Sequence, residues 1–294
     1  MEIRHMAIQI ASVTDKQYET IVKHFSEFEP SSTKLIIISN DSELAVLDDS
    51  CDLLIYCHPG SSGKILQHIT QQTERKVQVF IDRDANFSLA TIQNLPGDVG
   101  GVSHLSIHLS TNAQLKLIEC NVGGKTLTAK TNIVLDDHAH AENVACFMCG
   151  SDQTYDIKIN VYHKGKDGYS SLVTKGIVSG KAHAKCANLI DVGYEASGTD
   201  GYQDNNGLLL NDNVKLQFLP LLEIRNPDVK CSHGAKITHI DETQMFYLQS
   251  RGLPKPIAQG IIIEGFFFDK HFSQYAIKGL REELQALVKT KFLG

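Results

Sequence analysis

The strongest constraint on the fold of this chain is a short formula that keeps returning: an apolar residue, three mostly small or polar residues, usually Ala, one further residue, then an apolar or small one. It occurs as Ile81-Asp-Arg-Asp-Ala-Asn-Phe87, Leu109-Ser-Thr-Asn-Ala-Gln-Leu115, Leu135-Asp-Asp-His-Ala-His-Ala141, Val178-Ser-Gly-Lys-Ala-His-Ala184 and Leu210-Asn-Asp-Asn-Val-Lys-Leu216, with a weaker copy at Ile38-Ser-Asn-Asp-Ser-Glu-Leu44. Successive strong copies lie 28, 26, 43 and 32 residues apart, and Cys149-Gly-Ser-Asp-Gln153 offers an extra corner within the longest gap. Between the copies the chain alternates apolar and polar residues with period two, the pattern of strands. A strand, a tight polar corner and another strand, repeated at this interval, make a solenoid whose stacked rungs share one core. The small residue suits a corner where the backbone turns inward. A β-sandwich would also show short strands, but its hairpins favour Asn-Gly or Asp-Gly turns and do not need one recurring corner.

The expected architecture is therefore mainly β, a parallel β-helix over 34–238, followed by a C-terminal helical region over 239–294. Asp241 to Arg251, Lys255 to Phe266 and Lys270 to Phe292 read as helices. Asp241 is the expected N-cap of the first and Gly252 its stop. In the last, Ile277, Leu280, Leu284, Leu287 and Val288 form one apolar stripe. Such helices are expected to cover the open last rung, although they could equally be a docking surface. Residues 1–33 form a short N-terminal segment. There Met6 to Val13 reads as a strand, Asp15 to Phe28 as a short helix (Tyr18, Ile21, Val22, Phe25), and Pro30 to Thr33 as a boundary loop.

Composition removes several classes of function. A net charge of -6 and a pI near 6.1 argue against a sequence-blind nucleic-acid binder, which would normally show a basic face. The most apolar run, Ile261 to Phe268, is broken by Glu264 and is far too short for a bilayer. The seven cysteines (Cys51, Cys57, Cys120, Cys146, Cys149, Cys186, Cys231) are odd in number and follow no signal-peptide pattern, so reduced thiols and a cytoplasmic setting are expected.

Chemistry concentrates in Val229 to His233. If extended, this stretch turns Cys231 and His233 to one side and Lys230 and Ser232 to the other. A thiol beside an imidazole can hold a soft metal, share a proton or fill space, and taken alone the pair more often fills space. Cys146 and Cys149 are three apart on a strand and face opposite sides, so they read as core residues. His138 and His140, with Asp136 and Asp137, read as a solvated corner before a metal site. Gly123-Gly124-Lys125-Thr126 lacks the spacing of a phosphate loop and reads as a corner. A polysaccharide-cleaving solenoid is the third functional alternative; the absence of Trp and the placing of aspartates at corners argue against it.

Asp228-Val-Lys-Cys-Ser-His-Gly-Ala235 and Ile240-Asp-Glu-Thr-Gln-Met-Phe-Tyr-Leu-Gln-Ser-Arg-Gly-Leu253, with Gly176 to Ala182, Tyr202 to Leu210 and Ala258 to Phe266, all within about Leu105 to Phe268, form one long pattern. That pattern resembles the SufB/SufD family of SUF iron-sulfur cluster assembly scaffold subunits, on the SufD side. The resemblance implies a right-handed parallel β-helix and a non-catalytic scaffold. It implies pairing with a SufB-like subunit through the β-helix and binding of the ATPase SufC through the C-terminal helices, in the SufBCD complex. It further implies that His233, with Cys231 beside it, faces the partner's cysteine and contacts a transient iron-sulfur cluster at the subunit interface. The SufB cysteine belongs to the stretch matching Gln203 to Leu208, where this chain has none, which favours the SufD type. Pairing of two copies as a homomeric scaffold is the alternative. SufD-like chains usually carry a longer N-terminal helical region than residues 1–33 supply.

Overall fold

The computed structural model describes residues 8–12, 33–39, 41, 44–48, 52–71, 73–268 and 279–292. Two sheets face one another. The first contains β1 (Ile8–Ser12), β2 (Thr33–Ile38), β4 (Asp52–Cys57), β6 (Glu74–Ile81), β8 (Gly100–Leu109), β10 (Thr126–Leu135), β12 (Thr154–His163), β14 (His183–Val192) and β16 (Lys215–Ile224). The second contains β3 (Leu44–Asp48), β5 (Ser62–Ile69), β7 (Asn86–Gln93), β9 (Gln114–Asn121), β11 (His140–Cys149), β13 (Tyr169–Val178), β15 (Thr199–Leu209) and β17 (Val229–His239). From β2 onward the chain crosses from one sheet to the other at every corner and each strand pairs in parallel with the strand two ahead. The expected parallel β-helix is the fold. The expected N-terminal strand is β1, which runs antiparallel along β2 and so adds a strand of residues 1–33 to the first sheet. The helix expected at Asp15 to Phe28 lies outside the described residues, as does Cys51.

Period-two alternation does the sorting. In β10, Leu127, Ala129, Thr131, Ile133 and Leu135 point inward and are buried, while Thr126, Thr128 and Lys130 are exposed. Stacking in register then lines like upon like: Ile55, Val79, Ile107, Ile133, Val161, Ile190 and Leu222 form one row down the lumen. Branched side chains fill such a pleated surface with little loss of rotamer freedom. Pro220 sits in β16, the last strand of its sheet, the edge position where a missing backbone N–H is tolerated.

The corners explain the repeat and correct its spacing. Those following Ile81, Leu109 and Leu135 stack on one edge of the solenoid, because these three residues are register partners. Cys149, Val178 and Leu209 are partners on the opposite edge. The 43-residue gap is thus one full turn plus a change of edge, and Cys149 to Gln153 is a genuine corner. The two edges also bend differently. On the first, the residue just before the small one is left-handed, as at Asp84, Asn112 and His138 (φ 57 to 58°). On the second, the left-handed residue comes one position earlier, at Ser151 and Gly180. Asn, Asp and His tolerate this conformation better than most side chains. Ala85, Ala113, Ala139 and Ala182 are fully buried, as the small-residue argument requires. Gly124 also turns left-handed, making Gly123 to Thr126 a corner.

One buried carboxyl interrupts the apolar lumen. Glu119 accepts from Thr131 Oγ1 at 2.6 Å and Asn143 Nδ2 at 2.9 Å. Burial pushes its carboxyl above the usual range, opposed by those two bonds and the charge of Arg75. An acid raised in the folded state holds its proton where the unfolded chain has lost it, so this group makes stability fall as pH rises through that window. Glu119→Gln is expected to flatten this slope: urea unfolding at pH 5 and pH 8 should differ less in the variant. The Asn143 Oδ1, which has no partner, can turn to accept from the new amide.

Helices α1 (Glu242–Ser250), α2 (Lys255–Phe267) and α3 (Leu280–Phe292) follow. Asp241 caps α1, accepting from Thr243 N at 2.8 Å and Gln244 N at 3.3 Å, and Gly252 ends it with φ 88°. The expectation that the helices cover the last rung is overturned. Ile263 and Phe267 of α2 and Leu280, Leu284 and Val288 of α3 pack instead on the outer face of the second sheet, against Ile118, Cys120, Val144, Cys146, Val173 and Leu208. The outer face of these strands is apolar in its C-terminal half, so burying it there removes more apolar surface than capping a mixed rung.

Candidate functional site

The uncovered end of the solenoid is the rung formed by β16 and β17. Leu221, Ile224 and Ile237 are all large, apolar and exposed there, Leu221 at 49 %. The connection between the two strands is pinned: Arg225 pairs with Asp191 and with Glu223, and Asn226 Nδ2 donates to Tyr194 O at 2.7 Å. Asp228 O accepts from Gly198 N at 2.8 Å, extending the corner ladder to the last turn. β17 therefore enters at a fixed register, with Cys231 opposite Gly201 and His233 opposite Gln203.

Gly201 and Gln203 face the lumen and are buried, so Cys231 and His233 lie on the lumen side of β17 at its open mouth. Lys230 and Ser232 lie on the other side. Cys231 is half-buried and packs on the lumen core; its sulfur sits where a side chain at position 201 would nearly touch it, at 3.3 Å from an added Cβ. Burial pushes the Cys231 thiol up, opposed by a backbone hydrogen bond from Gly201. His233 is exposed. Beneath it Gln203 spans the lumen, donating from Nε2 to Leu221 O at 2.7 Å, while its buried Oε1 has no partner. Two donors, one soft and one of intermediate character, thus stand two residues apart at a mouth rimmed by apolar side chains. Among the described residues no group of three or more His, Cys, Asp or Glu is placed to hold a metal ion. Gln203 was not singled out by sequence; its place two residues after the lumen-facing Gly201 would have marked it.

A second surface lies beside this mouth. Between the end of β17 and helices α1 and α2 runs a groove of about 810 Å³ lined by Leu208, Lys236, Tyr247, Leu248, Ile261 and Phe266. Among the described residues none of α1 is buried, and Phe246 and Tyr247 are 73 % and 55 % exposed. The sequence reads this region as helical without separating out those two aromatics.

The remaining candidates fall as follows. Cys146 belongs to the cluster under the helices and Cys149 to the lumen, on opposite faces of β11. His138 stands 3.8 Å from an Asp167 oxygen, whereas His140 stacks on Tyr169 with centroids 4.3 Å apart, so each has its own partner. Aspartates are not confined to corners, since Asp156, Asp191, Asp200 and Asp204 lie on strands. Among the described residues, no helix is long and apolar enough to cross a membrane.

Comparison with known proteins adds a family. A family model described as SUF system FeS cluster assembly, SufBD core domain, matches residues 38–266. An iron-sulfur cluster assembly SufBD family protein of Staphylococcus haemolyticus is 25 % identical over 222 residues, 74 % of this chain and 47 % of the relative. Proteins of the same description from Staphylococcus epidermidis and Staphylococcus aureus strain USA300 match at the same identity and coverage. The chain spans about half the length of these curated relatives.

Proposed function

Because this chain belongs to the SufBD core family of the SUF system of FeS cluster assembly, we propose that it is a SufD-type, non-catalytic scaffold subunit that meets its partner through the open last rung. The observation that carries this reading is the uncovered mouth bearing Cys231 and His233. A terminal rung with exposed Leu221, Ile224 and Ile237 and a free edge at β17 is suited to receive another strand pair, since main-chain bonds then supply affinity and the apolar rim supplies area. Two donors cannot fill the four positions of a cluster iron, so cargo held at Cys231 and His233 requires ligands from the facing chain. A SufB-like subunit supplies them in this reading. The cluster is cargo, assembled and passed on, and the setting is cytoplasmic.

The groove at α1 and α2, with Phe246 and Tyr247, is the proposed seat of a SufC-like ATPase. Its nucleotide cycle would then act beside the mouth, and a rigid-body shift of the docked chains could open or close a shared site.

Two measurements test the proposal. Co-expression with SufB-like and SufC-like chains is expected to give one complex on size exclusion; a chain that never co-elutes with either defeats the pairing. His233→Ala is expected to leave assembly intact but lower reconstituted cluster content, read from bound iron and visible absorbance, by about tenfold or more, since even outer-shell losses at metal sites reach that scale. Unchanged cluster content removes the site assignment. A stable homodimer that carries a cluster without a SufB-like chain would favour the homomeric alternative.

A further inference from the structure

Away from the mouth, one row crosses the outer face of the second sheet: His68 on β5, Ile92 on β7, Cys120 on β9, Cys146 on β11 and Lys175 on β13 are successive register partners. Cys120 and Cys146 therefore stand side by side on adjacent parallel strands, near enough that Cys146, with burial, pushes the Cys120 thiol well up. They are 1 % and 4 % exposed, roofed by the apolar side chains of the helical cover. Cys57, Cys149 and Cys186 are buried in the lumen, so the pairing is peculiar to this outer row among the described cysteines.

Neighbouring parallel strands lie about 4.8 Å apart, which puts two in-register Cα atoms inside the 4.4 to 6.8 Å range of disulfides. Their Cβ atoms, projecting side by side, start wider than the usual 3.8 Å or so, and a bridge formed under such tension is easily reduced again. The roof over the pair is shared by two helices. Leu280, Leu284 and Val288 of α3 and Ile263 and Phe267 of α2 supply the buried apolar contact, and Gln285 Nε2 of α3 donates to Glu264 Oε2 of α2 at 3.2 Å. Glu283 meets His68 Nε2 at 3.0 Å, and Lys291 reaches Val122 O and, at 2.8 Å, Gln153 Oε1. A single helix docked on the outer face of a sheet opens more often than the whole solenoid unfolds.

We infer that Cys120 and Cys146 are a redox-active dithiol, oxidised by a small-molecule disulfide when α3 lifts from the second sheet and protected when α3 is docked. Cys146 is the attacking thiol: it neighbours Lys175 in the row, whereas the Cys120 thiol is pushed well up by Cys146 beside it and by burial. The Cys146 thiolate attacks the small disulfide, forming a mixed disulfide and releasing one thiol equivalent. The Cys120 thiolate then attacks the Cys146 sulfur, closing the protein disulfide and releasing the second. Each released thiolate takes the proton given up by a protein thiol, and two protein thiols are oxidised as one small disulfide is reduced. This assignment does not depend on the proposed role of the mouth.

The test uses the full chain in glutathione buffers of increasing oxidised fraction, quenched with acid, alkylated and mapped by peptide mass spectrometry. A cross-linked Cys120–Cys146 peptide is expected, reversed by reduced glutathione, with Cys57 and Cys186 left as thiols. Cys120→Ser should stop at a glutathione adduct on Cys146. Leu284→Ala, or the milder Lys291→Ala should the first not fold, is expected to speed oxidation by about tenfold or more by loosening α3. Absence of the cross-link in both the parent chain and the loosened variant overturns the dithiol, and a rate unchanged by loosening overturns the protection by α3.

Discussion

Gly176→Ala is expected to destabilise the solenoid by about 3 kcal/mol, the upper end for overpacking a filled core. Gly176 lies opposite Phe147 in the next rung, and a Cβ added there would come 2.0 Å from the Phe147 Cζ and 2.4 Å from its Cε2. Phe147 is fully buried, with stacked rungs on either side, so its ring cannot move off without displacing the lumen. The cost should depend on the ring itself. In a Phe147→Leu background, which alone costs about 1 kcal/mol, the glycine substitution should cost markedly less, giving a coupling of at least about 1 kcal/mol in the double-mutant cycle. Urea unfolding of the four proteins measures this; additive effects would show that the strain arises elsewhere. Gly176 opens the stretch to Ala182 that carries part of the family likeness, and its need for a missing side chain is a packing requirement.

A second large effect concerns acid. His163 ends β12 inside the lumen, its Nε2 2.8 Å from Ser170 Oγ and its buried Nδ1 without a partner. Burial pushes its pKa down from 6.5 to about 4, against the opposing charge of Asp191. Between those values the unfolded chain binds a proton that the folded chain refuses, so stability falls as pH drops from about 6.5, and by pH 4 the loss approaches about 3 kcal/mol. His163→Gln, which keeps an amide near Ser170 but cannot titrate, is expected to lose that much less between pH 7 and pH 4. Parallel stability curves for the two proteins would exclude His163 as the origin.

The solenoid was legible because its corners leave residue-level traces: left-handed backbone admits Asp84, Asn112 and His138, and inward turns admit Ala85, Ala113 and Ala139. The spacing misled only where the formula jumped from one edge to the other, since both edges use similar residues at shifted positions. The location of the helices was less legible. Yet Ile118 beside Leu117, and Val144 to Met148 without a polar break, show strands losing their alternation, as happens when both faces are covered. Cys231 and His233 could be placed on one side of a strand from spacing alone. That they lie on the lumen side at an open mouth could not, because nothing local to Val229–His239 shows that no rung follows.

The antiparallel turn of β1 gives the molecule a polarity with consequences for assembly. A stack of parallel rungs left open at both ends could add copies head to tail without limit, the geometry of filaments. Here one end of the first sheet finishes in a strand running the wrong way, and the other finishes in β16 with Pro220, leaving β17 as the edge able to continue a ladder at the mouth. In the proposed pairing, two chains that meet mouth to mouth consume the surface that joins them. Growth through β17 would then stop at a pair, and raising the concentration would fill pairs at the mouth without extending the ladder there.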